Sequence, residues 1–140
     1  MYEIKAMTIQ DYEGVSKFWS EVKEFTISLE FDSKNRIDSY LRRNPGFSSI
    51  AYFNGEVVGT VLCGHDGRRG SLYHVVVSKD HRKMGLSKQM IERCINCLTE
   101  AGIDNGFLFV STKDENALSF WNHNGWRPFT EVVYHYKNFD

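Results

Sequence analysis

The feature that most constrains this chain is a change of hydrophobic period between Leu72 and Ala101. Apolar residues are nearly continuous from Leu72 to Val77, the pattern of a central strand. After a short loop, Leu86, Met90, Ile91, Cys94, Cys97, Leu98 and Ala101 fall on one stripe of a helix, with Lys88, Gln89, Glu92, Arg93, Asn96 and Glu100 opposite. A central strand followed by an amphipathic helix requires a sheet with helices packed on its faces. The joint itself, "VVVSKDHRKMGLSKQM" (75 to 90), carries Arg82, Lys83 and a lone Gly85. A helix start offers unbonded N–H groups at the positive end of its dipole, and glycine lets a ligand approach the backbone. On those grounds phosphate binding ranks ahead of an ordinary surface turn.

The rest of the chain completes the pattern. A strand is expected from Tyr2 to Met7, then Thr8 and Asp11 as a variant capping box before a helix carrying Tyr12, Val15, Phe18, Trp19 and Val22. A second helix is expected from Ser33 to about Arg43, ended by Pro45. Segments 47–53 and 56–65 flank Asn54-Gly55, a type I′ hairpin signal, and "DGRRG" (66–70) reads as the next turn into a strand from Ser71 to Val77. Gly102 is placed to end the long helix. A strand over 106–111, a helix over 114–124 and a strand over 126–137 follow, giving the order βααβββαβαβ.

At 140 residues, the expectation is one domain spanning 1–140. Apolar residues make up 41% and aromatic residues 14%, enough for a proper core. The 17 basic and 18 acidic residues nearly cancel, to a net charge of −1, which disfavours nucleic-acid binding. No stretch approaches the roughly 20 apolar residues of a membrane span, and the N-terminus lacks a secretory pattern. Three cysteines argue against a disulfide framework. A cytoplasmic protein with reduced thiols, monomeric or homodimeric, is expected.

"RKMGLS" resembles the acyl-CoA loop of the GCN5-related N-acetyltransferase (GNAT) family, Gln/Arg-x-x-Gly-x-Gly/Ala, with Arg82 and Gly85 matching and Ser87 at the last small position. "FNGEVVGTVLCGHD" resembles the family's second and third strands with their hairpin. "DENALSFWNHNGW" resembles its late helix, Asn-x-x-Ala-x-x-x-Tyr followed by a Gly-aromatic pair. The likeness extends from about Ile4 to Tyr136. It implies the GNAT (acyl-CoA N-acyltransferase) fold: an α/β structure with a mixed, mostly antiparallel sheet splayed at the cofactor strand and helices on both faces. It also implies acetyl-CoA as cofactor and acetyl transfer to an amine.

By position, the resemblance assigns the backbone of Val75 and Val77 to the pantetheine arm, with the Val75 N–H also polarising the thioester carbonyl. Arg82, Lys83, Met84, Gly85, Leu86 and Ser87 would hold the pyrophosphate. Either Asp114, standing where the family has asparagine, or Asn116 nearby would touch the cofactor. Trp121 stands where the family carries its acidic tyrosine. An indole N–H has no useful acidity, so Trp121 is expected to pack at the thioester end or line the acceptor pocket.

Acetyl transfer needs a neutral amine, and a lysine-like amine with pKa near 10.4 must first lose a proton. For the base, the resemblance implies a residue of this strand at the places of Ser71 and Tyr73, and strand alternation then turns His74 to the other face unless a bulge alters the count. Imidazole, with an ordinary pKa near 6.5, is the better proton acceptor. For the acid, water or a phenol of the last strand, Tyr134 or Tyr136, is available. In "KEFTISLEFDSK", Glu24, Glu30 and Asp32 with Phe25 and Phe31 form either an acceptor wall or an ordinary solvated connector. In Cys94-Ile95-Asn96-Cys97 both cysteines lie mid-helix on the apolar stripe and read as core, and the five histidines show no metal-ligand spacing. Two functions stand: an acetyl-CoA-dependent N-acetyltransferase, or an acyl-CoA-binding regulatory module of the same fold.

Overall fold

Turns made by Asn, Asp and Gly set the register of the sheet. Asn54 and Gly55 both have positive φ, 49° and 84°, as a type I′ turn demands. They join β2 (Ser49–Phe53) to β3 (Glu56–His65). The Asp66 carboxylate accepts from the N–H groups of Arg68 and Arg69, at 3.0 and 2.8 Å, and turns the chain into β4 (Gly70–Val77). The computed structural model describes residues 1–23 and 30–139. With β1 (Tyr2–Ala6) and β5 (Gly106–Phe107), the sheet has the order β1-β2-β3-β4-β5, antiparallel except for the last pair.

Two helices cover one face. A 3-10 turn at Ile9–Asp11, where the Thr8 N–H donates to Asp11 Oδ2 at 2.8 Å, leads into α1 (Tyr12–Glu21). Ser33 caps α2 (Lys34–Arg43) by accepting from the Arg36 N–H at 3.3 Å. Val15, Trp19, Ile37 and Leu41 from these helices are buried with Ile50, Leu62 and Val76 of the sheet. On the opposite face lies α3 (Leu86–Glu100), which ends at Gly102 with φ 84°. There the Ser49 hydroxyl donates to the Met90 carbonyl at 3.1 Å, and Arg93 Nη2 donates to the Gly46 carbonyl at 2.9 Å. Of the two cysteines expected in the core, Cys97, at the rim of the stripe, is only half-buried, whereas Cys94, one turn earlier, is buried beside Cys63. The hydrogen bond between the two sulfurs holds the Cys94 thiol below its ordinary range and pushes Cys63 up.

The chain divides into two compact units, Met1–Leu108 and Phe109–Asp140, and all five strands belong to the first. In the second, α4 (Glu115–His123) is capped by Asp114, whose carboxylate accepts from the Ala117 N–H at 3.0 Å. Two expectations need correction. The strand expected over 106–111 covers only Gly106–Phe107, and among the described residues 126–137 contain no strand. Apolar alternation gives a period, but a strand exists only where a second backbone satisfies its N–H and C=O groups. Phe109 and Tyr134 meet ring to ring, with centroids 4.6 Å apart, rather than through a ladder.

Candidate active site

The site is built on a defect in β4. Thr60 pairs with Val76 and Leu62 with Tyr73, so His74 and Val75 stand together against Val61 alone. This is a β-bulge, which re-aims side chains and leaves ladder positions unfilled. His74 takes φ 51°, a left-handed conformation uncommon for a residue with a side chain. The bulge answers the question of alternation. Tyr73 shares the α1–α2 face by its register with Leu62, and His74 is carried onto that same face instead of the other.

Neighbours hold His74 there on several sides. Its ring meets Trp19 edge-on, with centroids 4.8 Å apart. Its carbonyl accepts from the Thr60 hydroxyl at 3.0 Å, and that oxygen accepts from Trp19 Nε1 at 2.9 Å. Its Nε2 lies 2.8 Å from Asp32 Oδ1. Asp32 is only 5% exposed, so it is the partner of an imidazole and not a solvated acid awaiting a cationic amine. Glu30 and Phe31 are exposed, while Glu24 and Phe25 lie outside the described residues. The Asp32–His74 pair, 42 positions apart, is the part of the site that sequence reasoning missed. The only local signal was an Asp just before a serine-capped helix.

Beyond the bulge, β4 runs to Val77, whereas β5 pairs only with Gly70 and Ser71. The β4–β5 ladder therefore ends at Ser71, and Val75 and Val77 lie beyond it. After Val77 comes a 3-10 turn at Lys79–His81, and then the basic loop. Arg82 Nε donates to the Val77 carbonyl at 3.0 Å, folding the loop back on its own strand. Lys83 and Gly85 both have positive φ, 65° and 79°. Gly85 is the N-cap of α3, and its carbonyl accepts from the Gln89 N–H at 3.1 Å, the bond that opens the helix. The preceding first-turn N–H groups have no intrahelical acceptor. Leu86 is buried and anchors the helix start, while Arg82, Lys83, Met84 and Gly85 are exposed and Ser87 is half-buried.

A diphosphate suits this loop. A Cβ built on Gly85 would meet nothing nearer than Gln89 Nε2 at 3.8 Å, so the space over the helix start is open. Consecutive left-handed and helical residues turn main-chain N–H groups into one anion-binding concavity.

The remaining expected residues belong to the second unit. Asp114 is a helix cap, Asn116 is exposed on the first turn of α4, and Trp121 is buried against Phe120 and Trp126, with ring centroids 5.1 and 5.3 Å away. Tyr134 is exposed and stacks with Tyr136.

A bulged β4 that outruns its parallel partner, followed by a glycine-capped helix start, agrees with the fold of acyl-CoA-dependent acyltransferases. Residues 12–126 match the model of the Acetyltransferase (GNAT) family, and the chain belongs to that family. An acetyltransferase of Photorhabdus laumondii is 31% identical over 116 residues, covering 83% of this chain and 80% of the relative. Among solved structures, a GNAT-family acetyltransferase of Staphylococcus aureus superposes with a TM-score of 0.81 at 20% identity, covering 94% of this chain and 87% of that one. The PaiA N-acetyltransferase of Thermoplasma acidophilum, solved with coenzyme A, gives 0.78 at 17% identity and 89% coverage of each chain. The protein is an N-acetyltransferase with acetyl-CoA as its acetyl donor. Among the described residues no helix is long and apolar enough to cross a membrane.

Proposed function

We propose that the chain transfers the acetyl group of acetyl-CoA to a primary amine by direct attack on the thioester, with His74 as the general base. The observation that carries this reading is the bulge at His74–Val75. It turns the His74 imidazole onto the face that Tyr73 shares. Val75 is the second residue of the bulge, and in this reading its N–H polarises the thioester carbonyl. Acetyl-CoA supplies an activated acyl group. The chain's own contributions are to hold its diphosphate at residues 82–87, lay its arm along Val75 and Val77, and remove a proton from the amine. Tyr73, 38% exposed beside His74, lines the acceptor side in this reading. Tyr134 is the candidate acid, although a thiol of ordinary pKa near 8.5 departs tolerably without one. Both units act as one catalytic domain, 1–140, a reading supported by a family match that runs through the boundary after Leu108.

Trp121 favours a second reading, in which the chain keeps little of that catalysis and serves mainly as an acyl-CoA-binding regulatory module of the same fold. A buried indole stands where the family places its acid. Thiol release from acetyl-CoA separates the two. The panel is phenethylamine, spermidine, an aminoglycoside and a short peptide with a free N-terminal alanine. Amine-dependent release by the intact chain that drops by a factor on the order of 10² in His74→Gln supports the enzyme. Coenzyme A binding without release for any amine supports the module.

A further inference from the structure

We infer that Asp32 is a positioning residue for the reaction: its buried carboxylate fixes His74 in the tautomer that presents the Nδ1 lone pair. The inference rests on His74 being the base, as proposed above. A carboxylate accepts and does not donate, so the proton between Nε2 and Oδ1, 2.8 Å apart, sits on the imidazole nitrogen. A neutral imidazole with its proton on Nε2 has its lone pair on Nδ1. This is the logic by which a buried carboxylate orients a catalytic imidazole in hydrolases. Here it is reached from an unrelated direction, a connector ahead of α2 meeting a bulged strand.

Asp32 is itself held. Its backbone carbonyl accepts from the Tyr12 hydroxyl of α1 at 2.7 Å, and Ser33, the next residue, caps α2. The carboxylate is therefore fixed to both helices that cover this face of the sheet. The imidazole is correspondingly constrained by the bulge at its backbone, by Thr60 at its carbonyl, by Trp19 at its ring and by Asp32 at its nitrogen. The side chain of His74 is 24% exposed and that of Asp32 5%. A mere structural ion pair does not require left-handed backbone at the histidine, and strain of that kind gathers at functional sites.

The step balances as follows. The amine lone pair forms the new bond to the acetyl carbon, and the amine N–H proton passes to His74 Nδ1. The carbon–sulfur bond breaks with its electron pair on sulfur, and the proton then passes from the imidazolium to that sulfur or to water. The Asp32 carboxylate faces the transient cation throughout and takes no proton.

Two measurements test this. Nitrogen-15 NMR of the intact, ligand-free chain above the imidazole titration reads the tautomer directly. The expected result is His74 protonated at Nε2, with the preference lost in Asp32→Asn. A protonated Nδ1 in the unsubstituted chain, or the same tautomer in Asp32→Asn, would overturn the inference. In steady state, with the fastest amine of the panel above, Asp32→Asn is expected to lower kcat by a factor on the order of 10² while KM for acetyl-CoA is unchanged. An undiminished kcat in a folded Asp32→Asn would overturn it. If no amine is acetylated by the unsubstituted chain, the reading of the preceding subsection fails, and the nitrogen spectra still decide whether Asp32 sets the tautomer.

Discussion

The Thr60 hydroxyl, fully buried in β3, accepts from Trp19 Nε1 and donates to the His74 carbonyl, so one oxygen ties α1 to the bulge of β4. Thr60→Val keeps the shape and removes both bonds. It leaves a buried indole N–H without its acceptor, a loss of about 1–3 kcal/mol. Urea denaturation is the check, and an unchanged midpoint would contradict the role given to this oxygen. At this scale the sequence was legible where chemistry is local. Asn54-Gly55, Gly85 and the Ser33 cap each do what their residue type dictates. Tyr73 and His74 were only half legible. Period-2 alternation sends them to opposite faces, and a bulge depends on how β3 registers against β4, which no single segment encodes.

The elements are joined by close contacts that a short sequence window does not contain. Asn44, at the end of α2, donates through Nδ2 to the Tyr40 carbonyl at 3.3 Å and accepts at Oδ1 from the His65 N–H at 3.0 Å, clamping the helix to β3. Gly64 makes room for this clamp, since a Cβ there would lie 2.6 Å from Asn44 Cγ and 2.8 Å from the Tyr40 hydroxyl. Gly64→Ala is therefore expected to destabilise the fold by about 1–3 kcal/mol through overpacking. A thermal melt matching that of the unsubstituted chain would show that the clamp relaxes freely. The helices and the two hairpins could be read from period and turn residues, because those signals lie within one element. The lengths of β5 and of the expected last strand could not, because they depend on where a partner backbone ends. The alternating aromatics around Phe109 and Tyr134 imitate a strand and instead meet through their rings.

For the whole molecule, two phenols set an alkaline limit. Burial pushes the Tyr40 phenol well above its ordinary range, and burial, with the hydrogen bond and charge of Asp11 2.6 Å away, does the same for Tyr52. Both keep their protons in the folded chain when the unfolded chain, titrating near pH 10, has begun to lose them. Their contribution is fully present below about pH 10 and is lost as pH rises toward the folded values. The urea midpoint is thus expected to fall between about pH 9 and pH 11, with a smaller fall in Tyr40→Phe. Equal falls in both proteins would remove Tyr40 from the account.

The central claim is that main-chain N–H groups at the start of α3 hold the diphosphate of coenzyme A beside the end of β4, and titration calorimetry of the intact chain with coenzyme A tests it most directly. Saturable binding is expected, weakened by about tenfold or more (~1.4 kcal/mol) in a folded Gly85→Trp, whose side chain would fill the open space over the helix start. No heat of binding from the unsubstituted chain, or equal affinity in Gly85→Trp, would contradict the account.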